Sequence, residues 1–166
     1  VMTPQKAALL IFIVSLLTIL GAFIFEYNGY PPCPLCLMQR WAYYAAMPLA
    51  LVVALLAQRN AGPVGLLLAL IGLIFAANSI FGIYHSGIEW GFWPGPDTCS
   101  GGDVTRGLPK IGNEPVISCS EAAIRIFGLS LAGWNAVICA GLAAVAFHAA
   151  RSVPSRNIYG SSSVSQ

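Results

Sequence analysis

Residues 64–84 read VGLLLALIGLIFAANSIFGIY, a run without one Asp, Glu, Lys or Arg. At about 1.5 Å per residue, a helix of that length crosses the roughly 30 Å of hydrocarbon in a bilayer. Lipid cannot satisfy unpaired backbone groups, so a helix is the only open structure available to such a run. The same freedom from charge recurs over residues 7–25, 41–57 and 126–147. The second of these gaps is short, so its helix is expected to begin earlier, near Pro34, with the span itself at about 37–57.

Composition agrees with this reading. Of 166 residues, 57% are hydrophobic and 8% charged, and the mean hydropathy is +0.76. A soluble domain carries about 25% charged residues, so a water-soluble globule is excluded, as are disordered and collagen-like chains. A net charge of +2 provides no basic field for nucleic acid. The expectation is an all-α membrane protein, a single four-helix transmembrane bundle within residues 1–150. The first span is not read as a cleaved signal peptide, because it is long for an apolar signal core and no small-x-small pattern precedes Glu26.

Four spans put both termini on one side. That side holds Lys6, Arg59, Arg151 and Arg156 with no acid, whereas the loops at 26–36 and 85–125 carry the acids. The density of Lys and Arg predicts cytoplasmic termini and two periplasmic loops. The stretch Gln58-Arg59-Asn60-Ala61-Gly62-Pro63 reads as a tight cytoplasmic turn. Residues 151–166 read as a disordered cytoplasmic tail, being polar and Ser-rich. Nearly all Tyr and Trp residues gather at the acidic side, more than an interfacial belt requires. The long loop is rich in Pro and Gly yet apolar, and is expected to lie on the membrane surface and move.

Cys33, Cys36, Cys99 and Cys119 fall in these outer loops, and Cys139 lies inside the fourth span. On an oxidising face three readings compete: structural staples, a zinc site, or a relay passing disulfides between pairs. The Cys33-Pro34-Leu35-Cys36 ring is too small to contribute much loop entropy, which makes it a poor staple. Pro34 suits the first helical position and would put Cys36 in the first turn, where the helix dipole and free N–H groups favour a thiolate. Arg40, four residues on, shares that helix face; its plainer reading is an interfacial side chain. Zinc is the weakest of the three, since Cys99 and Cys119 do not form a second close pair, and no metal is expected. Leu37 rather than His after Cys36 excludes the common haem attachment.

Pro32-Cys33-Pro34-Leu35-Cys36 followed by Gln39-Arg40 resembles the signature of the DsbB family of bacterial inner-membrane, disulfide-generating oxidoreductases. Gly95-Pro96-Asp97-Thr98-Cys99-Ser100-Gly101, Cys119-Ser120-Glu121 and Phe127-Gly128-Leu129-Ser130-Leu131-Ala132-Gly133-Trp134-Asn135 extend the resemblance over nearly the whole chain. It implies an enzyme that reoxidises a periplasmic, thioredoxin-fold dithiol protein of the DsbA type and passes the electrons to a membrane quinone, ubiquinone or menaquinone. Such a partner is too strong an oxidant for an ordinary thiol pool to recharge. By the same resemblance, Cys99 would receive the partner's attack, Cys119 would open Cys33–Cys36 at Cys33, and Cys36 would meet the quinone. Arg40 and His85 would complete the quinone site.

Two rival functions stand beside this one: a non-enzymatic tetraspan with bracing disulfides, and a relative dedicated to another redox partner. Four cysteines also permit three pairings. The remaining polar residues have ordinary roles available. Cys139 reads as packed, Asn78, Ser79 and Asn135 as interhelical hydrogen bonders, and Glu26, Arg125 and His148 as interfacial. Trp90 and Trp93 read as headgroup anchors, and Asp103, Arg106, Lys110 and Glu114 as solvated loop charges.

Overall fold

The computed structural model describes residues 2–58, 63–96, 99 and 118–153. Among the described residues, four helices are each long and apolar enough to cross a membrane: α1 (Pro4–Tyr27), α2 (Pro34–Gln58), α3 (Val64–Glu89) and α4 (Leu131–Arg151). A short antiparallel hairpin, β1 (Arg125–Ile126) with β2 (Leu129–Ser130), precedes α4. The connector at 59–62, the loop charges Asp103, Arg106, Lys110 and Glu114, and the tail from 154 lie outside the described residues.

Helix starts follow capping chemistry. The Thr3 side chain accepts from Lys6 N at 3.3 Å, with Pro4 as the first helical residue. Ser130 accepts from Gly133 N at 3.2 Å and starts α4. Each cap satisfies a donor that the helix itself leaves unpaired.

Cross-helix contacts set the directions. Gly65, Gly72 and Gly82 of α3 face Ala150, Phe147 and Ala136 of α4 in turn, so the two run antiparallel. Arg40 near the start of α2 reaches Glu26 near the end of α1, and Asn78 late in α3 reaches the Gln39 carbonyl early in α2. The ends of α1 and α3 therefore meet the starts of α2 and α4 at one end of the bundle, where the candidate functional site sits.

The core is built largely from small side chains, among them Ala7 and Ala8, Ala46 and Ala50, and Ala143 and Ala146. Leu17, Leu66 and Ile80 point outward, 61%, 74% and 68% exposed. Inverted burial of this kind fits a bundle solvated by lipid, where close backbone approach and dispersion rather than apolar exclusion hold helices together.

Two helix ends differ from the charge gaps. α3 continues five residues past Tyr84, so His85 sits on a helix and not in the expected loop. α4 begins at Leu131 rather than Ile126, because Phe127 and Gly128 adopt φ of 51° and 83°. Two successive positive φ values make the tight turn that right-twisted hairpins favour, and the Trp134 indole N–H binds the Ile126 carbonyl at 3.0 Å, fastening the hairpin to the helix.

A Cβ at Gly82 would lie 3.0 Å from Ala136 Cβ and 3.1 Å from the Ala132 carbonyl. Gly82→Leu is expected to destabilise the bundle by about 1–3 kcal/mol through overpacking. Gly141→Leu, where an added Cβ meets nothing within 4 Å, is expected to leave the thermal unfolding midpoint in detergent close to that of the parent.

Candidate functional site

Cys33 stands immediately before α2 and acts as its cap. Its carbonyl accepts from Leu37 N at 3.1 Å, and its sulfur accepts from Cys36 N at 3.2 Å. The benefit of the free helix N-terminus, expected for Cys36, thus falls on Cys33. The reason is geometric: a capping side chain lies just outside the helix and faces the amides of the first turn, whereas Cys36 supplies one of those amides. The two sulfurs lie 2.7 Å apart and are unbonded.

His85 Nε2 lies 3.6 Å from the Cys33 sulfur. The ring is held from behind by Gln39, whose Nε2 is 2.9 Å from Nδ1. Gln39 Oε1 accepts from Asn135 Nδ2 at 2.7 Å, which leaves the Gln39 amide nitrogen to donate to His85. A ring that accepts at Nδ1 carries its proton on Nε2, facing the sulfur. The chain continues inward, with Tyr43 O–H donating to Asn135 Oδ1 at 2.6 Å.

These contacts bear on the Cys33 thiol, which is pulled down from its usual range to about 5. The hydrogen bond from Cys36 is the largest cause, burial opposes it, and His85 and the Cys36 backbone N–H assist. A thiolate so placed is the nucleophilic form at neutral pH.

Cys99 and Cys119 form a disulfide. They pack with Cys33, Leu35 and Ile88 in one small buried cluster, with Cys36 against its edge. Both cysteine pairs are therefore neighbours although they are far apart in sequence. Cys99 is 2% and Cys119 1% exposed, so the disulfide is shielded from the surface.

On the other side of the CxxC pair, a cavity of about 270 Å³ opens between α1, α2 and α4. Leu17, Phe25 and Ile138 supply apolar wall, while Cys36, Gln39 and Arg40 supply a polar edge. Arg40 is fixed there by Glu26 Oε2 at 2.9 Å and by the Phe23 ring at 5.1 Å. His85 is not on the cavity wall; it faces Cys33 and Gln39 instead.

Glu26, Gln39, Tyr43, Asn135 and Glu89 were not singled out as site residues by sequence reasoning. Gln39 stood inside a motif and had no assigned role. Glu89 lies four residues beyond His85, on the same helix face, a signal available only once α3 is carried past Tyr84.

Thiolate ultraviolet absorbance of the reduced Cys99→Ser/Cys119→Ser protein is expected to rise through a first transition near pH 5, well below the usual thiol range. Because the folded value is depressed, the thiolate contribution to stability is present at high pH and lost as pH falls through that transition. His85→Ala should move the transition upward; an unmoved transition would remove His85 from this role.

The sequence matches the family described as Disulfide bond formation protein DsbB over residues 4–149. It is 37% identical over 123 residues to Disulfide bond formation protein B of Azoarcus sp. (strain BH72), covering 69% of this chain and 72% of that protein. It is also 28% identical over 138 residues to an uncharacterised protein of Rickettsia prowazekii (strain Madrid E), covering 78% of each. No solved structure matches the chain. Four membrane-capable helices, clustered cysteine pairs and a match over nearly its whole length mean that this chain belongs to the DsbB family, the multi-pass membrane oxidoreductases of disulfide formation.

Proposed function

We propose that the protein reoxidises a periplasmic dithiol protein of the DsbA type and passes the electrons to a membrane quinone, ubiquinone or menaquinone. The position of Cys36 carries this reading. Cys36 lines an apolar cavity, while Cys33 beside it packs with the Cys99–Cys119 disulfide. One end of the relay thus borders a compartment suited to a lipid-soluble carrier, and the other holds a disulfide suited to a soluble dithiol.

A volume of about 270 Å³ is close to the lower end of the roughly 300–1,000 Å³ usual for small-molecule sites. That size and the apolar walls fit a single substituted ring, with Arg40 and Gln39 as donors for a ring oxygen. When bound, a quinone supplies an acceptor for two electrons and two protons.

The steps of the chain itself follow from thiol–disulfide exchange. The partner's thiolate attacks Cys99, and Cys119 leaves as a thiolate. Cys119 then attacks Cys33, and Cys36 leaves as a thiolate at the cavity. The partner's second thiolate attacks the partner's own first sulfur, Cys99 leaves as a thiolate, and the partner departs oxidised. Cys99 next displaces Cys33 from Cys119, restoring the outer disulfide and leaving Cys33 and Cys36 reduced. Loss of two electrons and two protons from this pair restores the second disulfide. Cys33, held by the Cys36 N–H and His85, is the sulfur presented to re-form the bond with Cys36. Arg40, tethered by Glu26, places positive charge beside the cavity where negative charge develops.

In this reading the cysteine end faces the periplasm. The termini, with Lys6 and Arg151, face the cytoplasm of a bacterial inner membrane, as the bias of basic residues favours.

Cys36→Ser is expected to abolish quinone reduction driven by a reduced DsbA-type donor, while a mixed disulfide through Cys99 can still be trapped. Quinone reduction by the variant equal to that of the parent would remove Cys36 from the role.

A further inference from the structure

Behind the CxxC pair, α3 brings a fourth potential ligand that the relay does not use. Cys33 Sγ, Cys36 Sγ and a His85 ring nitrogen all lie within 4.8 Å of one another. His85 Nε2 is 3.9 Å from Glu89 Oε1. The Glu89 side chain is only 6% exposed, and its Oε2 has no hydrogen-bond partner among the described residues. A buried acceptor oxygen with no partner, beside two sulfurs and an imidazole, is a donor set left open for a cation.

We propose that, when Cys33 and Cys36 are reduced, these two sulfurs with His85 and Glu89 bind a zinc-class divalent cation that holds the enzyme in its reduced, inactive form. This rests on the proposed function only in requiring that the pair pass through a reduced state.

The donor set is the one such ions select: two thiolates, an imidazole and a carboxylate in tetrahedral array. Ligand bonds of about 2.0–2.3 Å set the separation between ligand atoms at roughly 3.3–3.8 Å. The His85–Cys33 and His85–Glu89 distances of 3.6 and 3.9 Å lie in or next to that range, while Glu89 stands outside the 4.8 Å group of Cys33, Cys36 and His85 and joins it by side-chain rotation. The sulfurs, at 2.7 Å, need to part by about 1 Å, which two mutually repelling thiolates do by side-chain rotation. Ligation uses the Nε2 lone pair, so the ring proton passes to Nδ1; the Gln39 amide turns to accept it, Asn135 turns with it to accept from Gln39, and the Tyr43 O–H is redirected to Cys139 Sγ at 3.2 Å. Gln39 then serves as the outer partner that aims the ring at the ion. Cys33 enters as the thiolate, so the cation is taken up as the one Cys36 thiol proton is released. No electrons move, and the Cys33–Cys36 bond cannot re-form while both sulfurs are ligands.

The test uses the full chain in detergent, untagged, with Cys99→Ser and Cys119→Ser so that the outer pair does not compete. Reduced protein titrated with Co(II) should bind one equivalent and show thiolate-to-cobalt charge-transfer absorbance. The same protein with Cys33–Cys36 oxidised should show none. His85→Ala and Glu89→Gln should each weaken binding at least tenfold. Binding as tight in both variants as in the parent marks a bare dithiol and overturns the site, as does absence of binding to the reduced parent. A second measurement avoids the variants. In the unsubstituted chain kept reduced by a phosphine, Zn(II) should protect Cys33 and Cys36 from alkylation, and undiminished alkylation also overturns the site. Quinone reduction by metal-free protein reports the relay separately, so either reading can fail without the other.

Discussion

The Gln39 side chain and carbonyl join three helices at one point. The amide nitrogen donates to His85 of α3, the amide oxygen accepts from Asn135 of α4, and the backbone carbonyl accepts from Asn78. In a bundle surrounded by hydrocarbon, apolar exclusion between helices is weak, and each interhelical hydrogen bond contributes only about 0.6 kcal/mol on average. What such bonds add is register. Gln39 fixes the rotation of α2 and α3 about their axes, and with it the meeting of the His85 ring and the Cys33 sulfur.

That register separates two chemical environments three residues apart. Cys33 faces the imidazole, a backbone amide and the outer disulfide, while Cys36 borders an apolar cavity. Thiol–disulfide exchange needs one sulfur stabilised as an anion and another able to leave toward an acceptor. A helix start supplies this asymmetry without any special fold, because the capping position and the first turn present opposite ends of the same hydrogen bond. Arg40 one turn further adds a cation on the cavity side, and Glu26 keeps it from turning out to the headgroups.

Much of the architecture is legible from the spacing of charged residues, since charge is what hydrocarbon excludes. The number of helices and their approximate positions follow from it. Helix ends do not, because they obey hydrogen bonding. Phe127-Gly128 turns a hairpin inside an apolar run, and α3 carries His85 through to Glu89 across a polar boundary. The Cys33–Cys36 spacing by itself argues only against a structural staple. Its setting is less visible: Gln39 and His85 are separated by 46 positions, and their meeting depends on helix rotation that periodicity in a nearly all-apolar segment leaves open. The packing of Cys99 and Cys119 against Cys33 likewise arises from tertiary contact across an irregular stretch.

The capping of α2 by the Cys33 sulfur ties redox state to backbone order. While Cys33 is a thiolate, the Cys36 amide has an acceptor and the first turn is closed. In the proposed relay, a bond from that sulfur to Cys119 would re-aim its lone pairs, and the Cys36 amide would need another acceptor. Under the proposed relay, electron flow through this pair would then also open and close a helix start, and the order of that single turn would follow the redox state of its cap.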